Sequence, residues 1–156
     1  MSEDITLRMA KVDDALIIAH HRRAMFNDMG HTDASALDAM DAAFVPYVRR
    51  SLADGSYRGW LAVTSESRVV AGGGLIVHEW PTTPRDADTQ RAYILNVYTE
   101  REYRRRGIAR RIMSAILDFC RAEGFHSVSL HASEQGRAMY VSMGFEQTNE
   151  MRLRLA

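Results

Sequence analysis

The residues whose types and spacing could do chemistry lie in Arg104-Arg105-Arg106-Gly107-Ile108-Ala109, flanked by Arg101, Arg110 and Arg111. The first amides of a helix have no partner inside it and sit at the positive end of its dipole, so a phosphate placed there accepts several N–H bonds. Gly107 permits close backbone approach, and Ala109 is too small to hold a ligand away from the turn. The guanidinium groups add bidentate donors for phosphate oxygens. The pattern reads as an anion site, with a solvated charge run as the plainer alternative.

A strand and a helix must hold this loop. Residues 93–99 are β-branched and aromatic, with Tyr93, Leu95, Val97 and Thr99 expected on one face and Ile94, Asn96 and Tyr98 on the other. After Gly107, the residues Ile108, Ile112, Ile116 and Phe119, with Met113 and Cys120 beside them, form an apolar stripe at helical spacing, and Gly124 stands where a C-terminal cap belongs.

The rest of the chain supplies elements on either side. Residues 5–9 suit a first strand, and Val12-Asp13-Asp14 opens a helix that ends near 26–30. A polar loop at 27–33 leads to a second helix over 35–54, in which Pro46 predicts a kink or two short helices. Segments 58–64 and 68–78 read as a hairpin turning at 65–67. Gly72, Gly73 and Gly74 inside its second strand mark a bulge or a close approach, and no P-loop lysine follows them. Residues 79–89 are a polar, proline-containing connection, and 127–132 form a short strand. Ser133 suits an N-cap for a helix over 134–143 closed by Gly144, and 149–155 alternates Met151, Leu153 and Leu155 as a last strand. The order is βααβββαβαβ, an α/β (α+β by some schemes) fold with helices able to cover both faces of a sheet.

Two motifs in this order carry a family resemblance. Arg104-x-x-Gly107-x-Ala109 between strand and helix resembles the acyl-CoA-binding signature of the GNAT superfamily of N-acyltransferases, and Ala138-Met139-Tyr140-Val141-Ser142-Met143-Gly144-Phe145 resembles that family's closing helix motif. The match is close over residues 93–145 and general before it. The resemblance implies a mixed, mostly antiparallel sheet of six to seven strands, splayed between 93–99 and 127–132, in one domain spanning residues 1–156. Acetyl-CoA would enter the gap as co-substrate. Its pantetheine arm would bond the backbone of Val97 and Thr99, with Tyr98 between them, and its pyrophosphate would lie on Arg104, Arg105, Arg106, Gly107, Ile108, Ala109 and Arg110.

The implied reaction is attack of a primary amine on the thioester through a tetrahedral intermediate, with a backbone amide near Val97 stabilising the oxyanion. Tyr140 would protonate the departing thiolate, since a phenol of pKa about 10 keeps its proton near neutrality; the plainer alternative is a packed ring. By the resemblance, the first loop and second helix wall the acceptor site, which brings Phe26 and Met29 there beside His20, His21, Arg22, Arg23, Asp28 and His31. Trp80 could line the pocket or cover the sheet end, and Glu79, His78 and His131 are candidate bases. No carboxylate occurs in 91–99 or 127–132, and Ser133-Glu134-Gln135 replaces the asparagine common before the tyrosine helix, which disfavours a histone-type or ribosomal-protein acetyltransferase. The expectation is a small-molecule amine acceptor; the alternatives are a protein or peptide N-acetyltransferase and a non-catalytic module holding CoA or another phosphorylated ligand.

Composition sets the outer bounds. The 156 residues, 46% apolar and 26% charged, suit one soluble domain. Twenty basic residues balance twenty acidic ones, which implies no bulk attraction to nucleic acid or membrane. Lys11 is the only lysine, so the positive charge is almost all arginine. The lone cysteine, Cys120, falls on the apolar stripe and reads as a buried hydrophobe, and the adjacent His20-His21 lacks the i, i+4 spacing of a metal site, so no metal is expected. With no basic-then-apolar leader and no long apolar run, a cytoplasmic protein is the expectation, and the resemblance is compatible with a homodimer.

Overall fold

The apolar stripe of 108–120 does bury one helical face. A computed structural model describes residues 3–156 and places Ile108, Ile112, Met113, Ile116 and Cys120 at the bottom of helix α3 (Ile108–Ala122), packed on the central sheet. Five strands form that sheet in the order β1 (Ile5–Met9), β2 (Tyr57–Thr64), β3 (Val69–Glu79), β4 (Gln90–Thr99) and β5 (Val128–Leu130). The first four are antiparallel neighbours, and β5 runs parallel to β4. Helices α1 (Ala15–Asp28) and α2 (Ala34–Asp54) cover the opposite face through Ala15, Ile18, Ala19, Phe44 and Val48 against Tyr57 and Leu61. A short helix, α4 (Arg137–Ser142), adds Tyr140 to the α3 side. The mixed α/β class and the element order up to α4 agree with the expectation.

Three local expectations are corrected. Helix α2 runs unbroken through Pro46: its start is capped by Asp33, which accepts from the amides of Ser35 and Ala36, and burial of Leu37, Phe44, Val48 and Ser51 on both sides of the proline holds the helix across the one lost hydrogen bond. Helix α4 is shorter than 134–143, because Ser133 caps a tight turn through Gly136 before the helix begins. The last strand does not join the sheet, which therefore has five strands, not six or seven. Residues 146–156 extend from Phe145 with the side chain of Arg152 directed at His131, so Met151, Leu153 and Leu155 face away from the core.

The glycines of β3 are sites of close approach, and what approaches is side chain. A Cβ on Gly73 would lie 2.7 Å from Cγ2 of Ile112, so its absence lets α3 settle on the sheet, while a Cβ on Gly74 would overlap the phenol of Tyr57 on the other face. Gly74→Ala should therefore destabilise the fold by about 1–3 kcal/mol through overpacking, measured by urea denaturation; an unchanged midpoint would show that Tyr57 moves aside freely.

Candidate active site

Strands β4 and β5 pair only from Ala92–Val128 to Ile94–Leu130, and beyond that β4 continues to Thr99 without a neighbour on this side. On its other side, Leu95 opposes Gly74 and Tyr98 opposes Gly72, so two residues, Asn96 and Val97, stand opposite Gly73 alone. This is a β-bulge, with Asn96 in the left-handed region at φ 58°. The bulge overturns the simple alternation expected for 93–99. Ile94 and Val97 pack toward α3, whereas Leu95 and Asn96 both turn toward α1 and α2, where Tyr98 meets His21.

Asn96 is 4% exposed, and both polar atoms of its side chain are hydrogen-bonded. Nδ2 donates to Oη of Tyr57 at 3.0 Å, and Oδ1 accepts from Nη1 of Arg22 at 2.6 Å. Burial pushes the Tyr57 hydroxyl up to about 12, so it stays a neutral partner. Arg22 lies between the rings of Phe26 and Phe44, 5.0 Å from each centroid, and burial lowers its pKa. Sequence reasoning placed Asn96 only as one strand position. The signal available was its type, a polar residue that tolerates positive φ, standing in a β-branched run.

From Thr99 the chain passes a single turn at Arg101–Tyr103 and reaches Gly107, which caps α3 at φ 72° with no side chain of its own. Arg111 donates to the Gly107 carbonyl, which leaves the amides of Ile108, Ala109 and Arg110 without intrahelical acceptors. A Cβ at Gly107 would meet nothing within 4 Å, so the approach to these amides is open. Ile108 itself is buried in the core. The arginines are mostly engaged. Arg104 and Arg101 both pair with Asp28, at 2.6 and 2.9 Å, and their hydrogen bonds, Arg104's first, hold its carboxyl below the usual range. Arg104 Nε also donates to the Thr99 carbonyl, which removes that acceptor from the set expected to meet a ligand. Arg106 donates to the Glu102 carbonyl and Arg110 to Oγ of Ser142. Arg105, at φ 62°, makes no hydrogen bond or ion pair among the described residues.

Beside β5 and the part of β4 paired with it lies a cavity of about 380 Å³, whose wall includes Tyr93, His131, Tyr140, Phe145, Glu150 and Arg152. Tyr140 is placed by the end of α4. Phe145 N–H donates to the Tyr140 carbonyl and Gly144 N–H to that of Val141, the Schellman pattern, with Gly144 at φ 98°. The same turn sets the Phe145 ring edge-on to Tyr140, with centroids 5.8 Å apart. Burial raises the Tyr140 pKa, which keeps its hydroxyl protonated. His131 bonds the Tyr93 hydroxyl through Nδ1 and receives Arg152 at Nε2, 2.9 Å away. Arginine can only donate, so Nε2 is the acceptor and the ring proton lies on Nδ1.

The remaining predicted substrate residues are spread more widely. Phe26 packs edge-on to His31 and lines a second cavity between α1 and α2, and Met29 ends α1 half-exposed. Glu79 pairs with Gln90 at the start of β4, six strand residues or about 20 Å from Asn96. Trp80 follows it, exposed, beneath the guanidinium of Arg91. Neither Glu79 nor Trp80 lines the Tyr140 cavity. Among the described residues no group of three or more His, Cys, Asp or Glu is arranged to hold a metal, and no helix is long and apolar enough to cross a membrane.

A sheet that parts beside a bulged strand, followed by an open helix start, defines an acetyltransferase-like fold, and the sequence comparison agrees. Residues 22–145 match the profile of the Acetyltransferase (GNAT) family, and the chain belongs to that family. It is similar over 97% of its length to a GCN5-related N-acetyltransferase from Ralstonia eutropha JMP134, at 36% identity and a TM-score of 0.92, covering 99% of that chain. A predicted acetyltransferase from Clostridium acetobutylicum, crystallised with acetyl-CoA, superposes over 98% of this chain and 96% of its own, with 25% identity and a TM-score of 0.88. N-acetyltransferase 8 of Homo sapiens is 31% identical over 94 residues, 58% of this chain and 39% of that protein, so the chain spans about two fifths of this curated relative.

His21 gives the site a pH dependence. It is buried against Tyr98 with Nε2 unpartnered, and burial, reinforced by His20, pulls its pKa from 6.5 down to about 4. Between those values the unfolded chain binds a proton that the folded chain refuses. The stability is therefore complete above pH 6.5 and is lost as pH falls toward 4, by an amount approaching about 3 kcal/mol. His21→Leu should flatten the dependence of urea midpoints between about pH 7 and about pH 4.5; equal slopes in both proteins would mean that His21 accepts a proton in the fold.

Proposed function

We propose that this protein transfers an acetyl group from acetyl-CoA to a primary amine of a small-molecule acceptor. One observation carries the reading: beyond Ile94 the sheet opens beside the bulged backbone of Asn96 and Val97, and the chain leads from there directly to the unpaired first-turn amides of α3. The residues present fit acetyl-CoA, because Gly107 leaves the helix start clear and the free side of β4 offers backbone groups to the amides of a pantetheine arm. Gly107, Ile108, Ala109 and Arg110 would hold the pyrophosphate by their amides, with Arg105 the cation left free to face it and Arg104 and Arg106 bracing the loop. When bound, acetyl-CoA supplies an activated thioester carbonyl.

This chain's own groups then have separable tasks. The bulge turns the backbone at Val97 out of the β3 ladder, which leaves an amide able to donate to an oxygen that gains charge. Tyr140, kept protonated by burial and without a partner among the described residues, donates to the departing sulfur. Tyr93 and His131 line the acceptor side of the cavity as a hydrogen-bonded pair. His131 offers a lone pair to the amine's proton only when Arg152 withdraws from Nε2. The cavity is small and its wall carries carboxylates and guanidiniums together, Glu146 and Glu150 with Arg137 and Arg152, which favours a compact polar amine over a basic protein surface.

Acetyl-CoA should raise the thermal midpoint of the purified protein, since binding to the folded state alone stabilises it by mass action; no shift at millimolar ligand would sink the assignment. Gly107→Val should abolish that shift while the protein stays folded, because a β-branched residue at φ 72° distorts the loop without colliding with the core. For Tyr140→Phe, turnover with a reactive amine should drop by about a hundredfold or more while acetyl-CoA affinity holds. Intact turnover with weakened binding would instead make Tyr140 a packing residue.

A further inference from the structure

Arg22 on α1 is a cation for which the chemistry described so far has no use. Its neighbour Arg23 holds two carboxylates, Asp38 and Asp41, at 2.8 and 2.7 Å, and Arg101 and Arg104 share Asp28. Arg22 has no carboxylate among the described residues, and its one hydrogen bond there runs from Nη1 to Oδ1 of Asn96. The rings of Phe26 and Phe44 stand against the guanidinium and keep water from much of it. Burial lowers its pKa, and the groups that oppose this are the phenols of Tyr57, Tyr47 and Tyr93. An amide oxygen and aromatic rings recover only part of the hydration that a cation gives up, and the remainder calls for an anion.

The edge that an anion would meet is the unpaired one. In arginine, Nε and Nη2 lie side by side and form a fork that matches the two oxygens of a carboxylate. In Arg22, Nε is enclosed without an acceptor, and Nη2 has no hydrogen bond among the described residues. Holding Asn96 takes a single N–H from the other nitrogen, Nη1, which leaves the positive charge and the fork without a task.

Position ties this edge to the reaction. Asn96 is the bulged residue beside Val97, so the guanidinium sits one side chain away from the backbone assigned above to the thioester oxygen. Tyr93, in the wall of the Tyr140 cavity, is near enough to Arg22 for each to favour the charged form of the other.

Given the acetyl transfer proposed above, we propose that Arg22 selects the acceptor by pairing with a carboxylate that the amine carries, so that the substrate is of the amino-acid type. With only the Asn96 side chain between guanidinium and bulge, amine and carboxylate are a few bonds apart. Transfer forms the C–N bond of an N-acetyl amino acid as the C–S bond of the thioester breaks. The neutral amine gives up one proton, and the departing sulfur takes one from Tyr140, which solvent restores.

The test offers the wild-type protein the twenty common amino acids, β-alanine and 4-aminobutyrate, each beside its carboxamide, with acetyl-CoA, and scores CoA release. At least one acid should show a kcat/KM about tenfold or more above that of its carboxamide, the scale of one charge-assisted hydrogen bond. Arg22→Gln keeps an N–H for Asn96 but loses the charge and the fork, and it should bring that ratio close to one. If Arg22 only braced the bulge, acid and carboxamide would lose activity together and the ratio would persist, which overturns the proposal. Equal rates for acids and carboxamides in the wild type overturn it too, and that reading needs no variant to fold. When acetyl-CoA raises the thermal midpoint but no acid is acetylated, Arg22 loses this role while the acetyl-CoA site stands. When acetyl-CoA gives no shift, the acetyltransferase reading itself fails, and the selection by Arg22 falls with it.

Discussion

The bulge at Asn96 is the feature on which the positions of the other site groups depend. A non-glycine residue at positive φ costs roughly 1–2 kcal/mol, and the structure offsets it with two side-chain hydrogen bonds, one of them from a guanidinium and therefore among the stronger kind at about 1.5–3 kcal/mol. Both partners must in turn be held. Tyr57 fits because Gly74 has no Cβ, and Arg22 is fixed between Phe26 on α1 and Phe44 on α2. Among the described residues Arg22 has no carboxylate partner. The aromatic faces supply part of what it loses on leaving water, and its one strong acceptor is Asn96. Both helices on one face, with Tyr57 on β2 and Gly74 on β3, thus converge on a single backbone irregularity.

The other side of the site is set by a repeated turn. Helices α1, α3 and α4 all end with a glycine at positive φ, at Gly30, Gly124 and Gly144, followed by a residue whose amide reaches back to a carbonyl five positions earlier. In α1 and α4 that geometry also brings two rings together, Phe26 with His31 and Tyr140 with Phe145. The Gly-Phe that follows Tyr140 has a physical reason: glycine allows the left-handed step, and phenylalanine makes the apolar contact that the turn places against the ring. Gly136 adds to it, since a Cβ there would lie 2.8 Å from the Tyr140 ring. Tyr140 is therefore packed on two sides, and its hydroxyl has no hydrogen-bond partner among the described residues.

Elements defined by a strong period or by a glycine at a boundary were legible in the sequence. The α3 stripe, the β2–β3 hairpin, the Gly107 loop and the Gly144 stop all fall where spacing and turn chemistry place them. What local pattern could not carry was set by distant partners. Alternation in β4 fails at Asn96 because Arg22, 74 residues earlier, and Tyr57, 39 residues earlier, draw that side chain to their face. Pro46 does not divide α2 because both flanks are anchored in the core. The terminal alternation of Met151, Leu153 and Leu155 was legible as a strand pattern, but the segment does not join the sheet. The candidate site was readable as a loop and a tyrosine, but not as the Asn96 bulge or the Tyr93–His131 pair that complete it.

The arginine-rich loop then takes on a different role from the one its composition suggests. Arg101 and Arg104 fasten it to Asp28 at the end of α1, Arg104 to the end of β4, Arg111 to the Ile5 carbonyl on β1, and Arg110 to Ser142 on α4. Individual exposed ion pairs of this kind contribute about 0–1 kcal/mol, too little to stabilise the fold by themselves. Their effect is directional: each ties the start of α3 to a different element. A charge free to swing toward a phosphate could not also serve as such a tie, and among the described residues Arg105 is the arginine of this loop with no side-chain hydrogen bond or ion pair. In the proposed function, recognition of an anion here would fall mainly to backbone amides, whose positions the tied arginines hold, so that sequence-independent N–H groups would carry the contact and the guanidiniums the geometry.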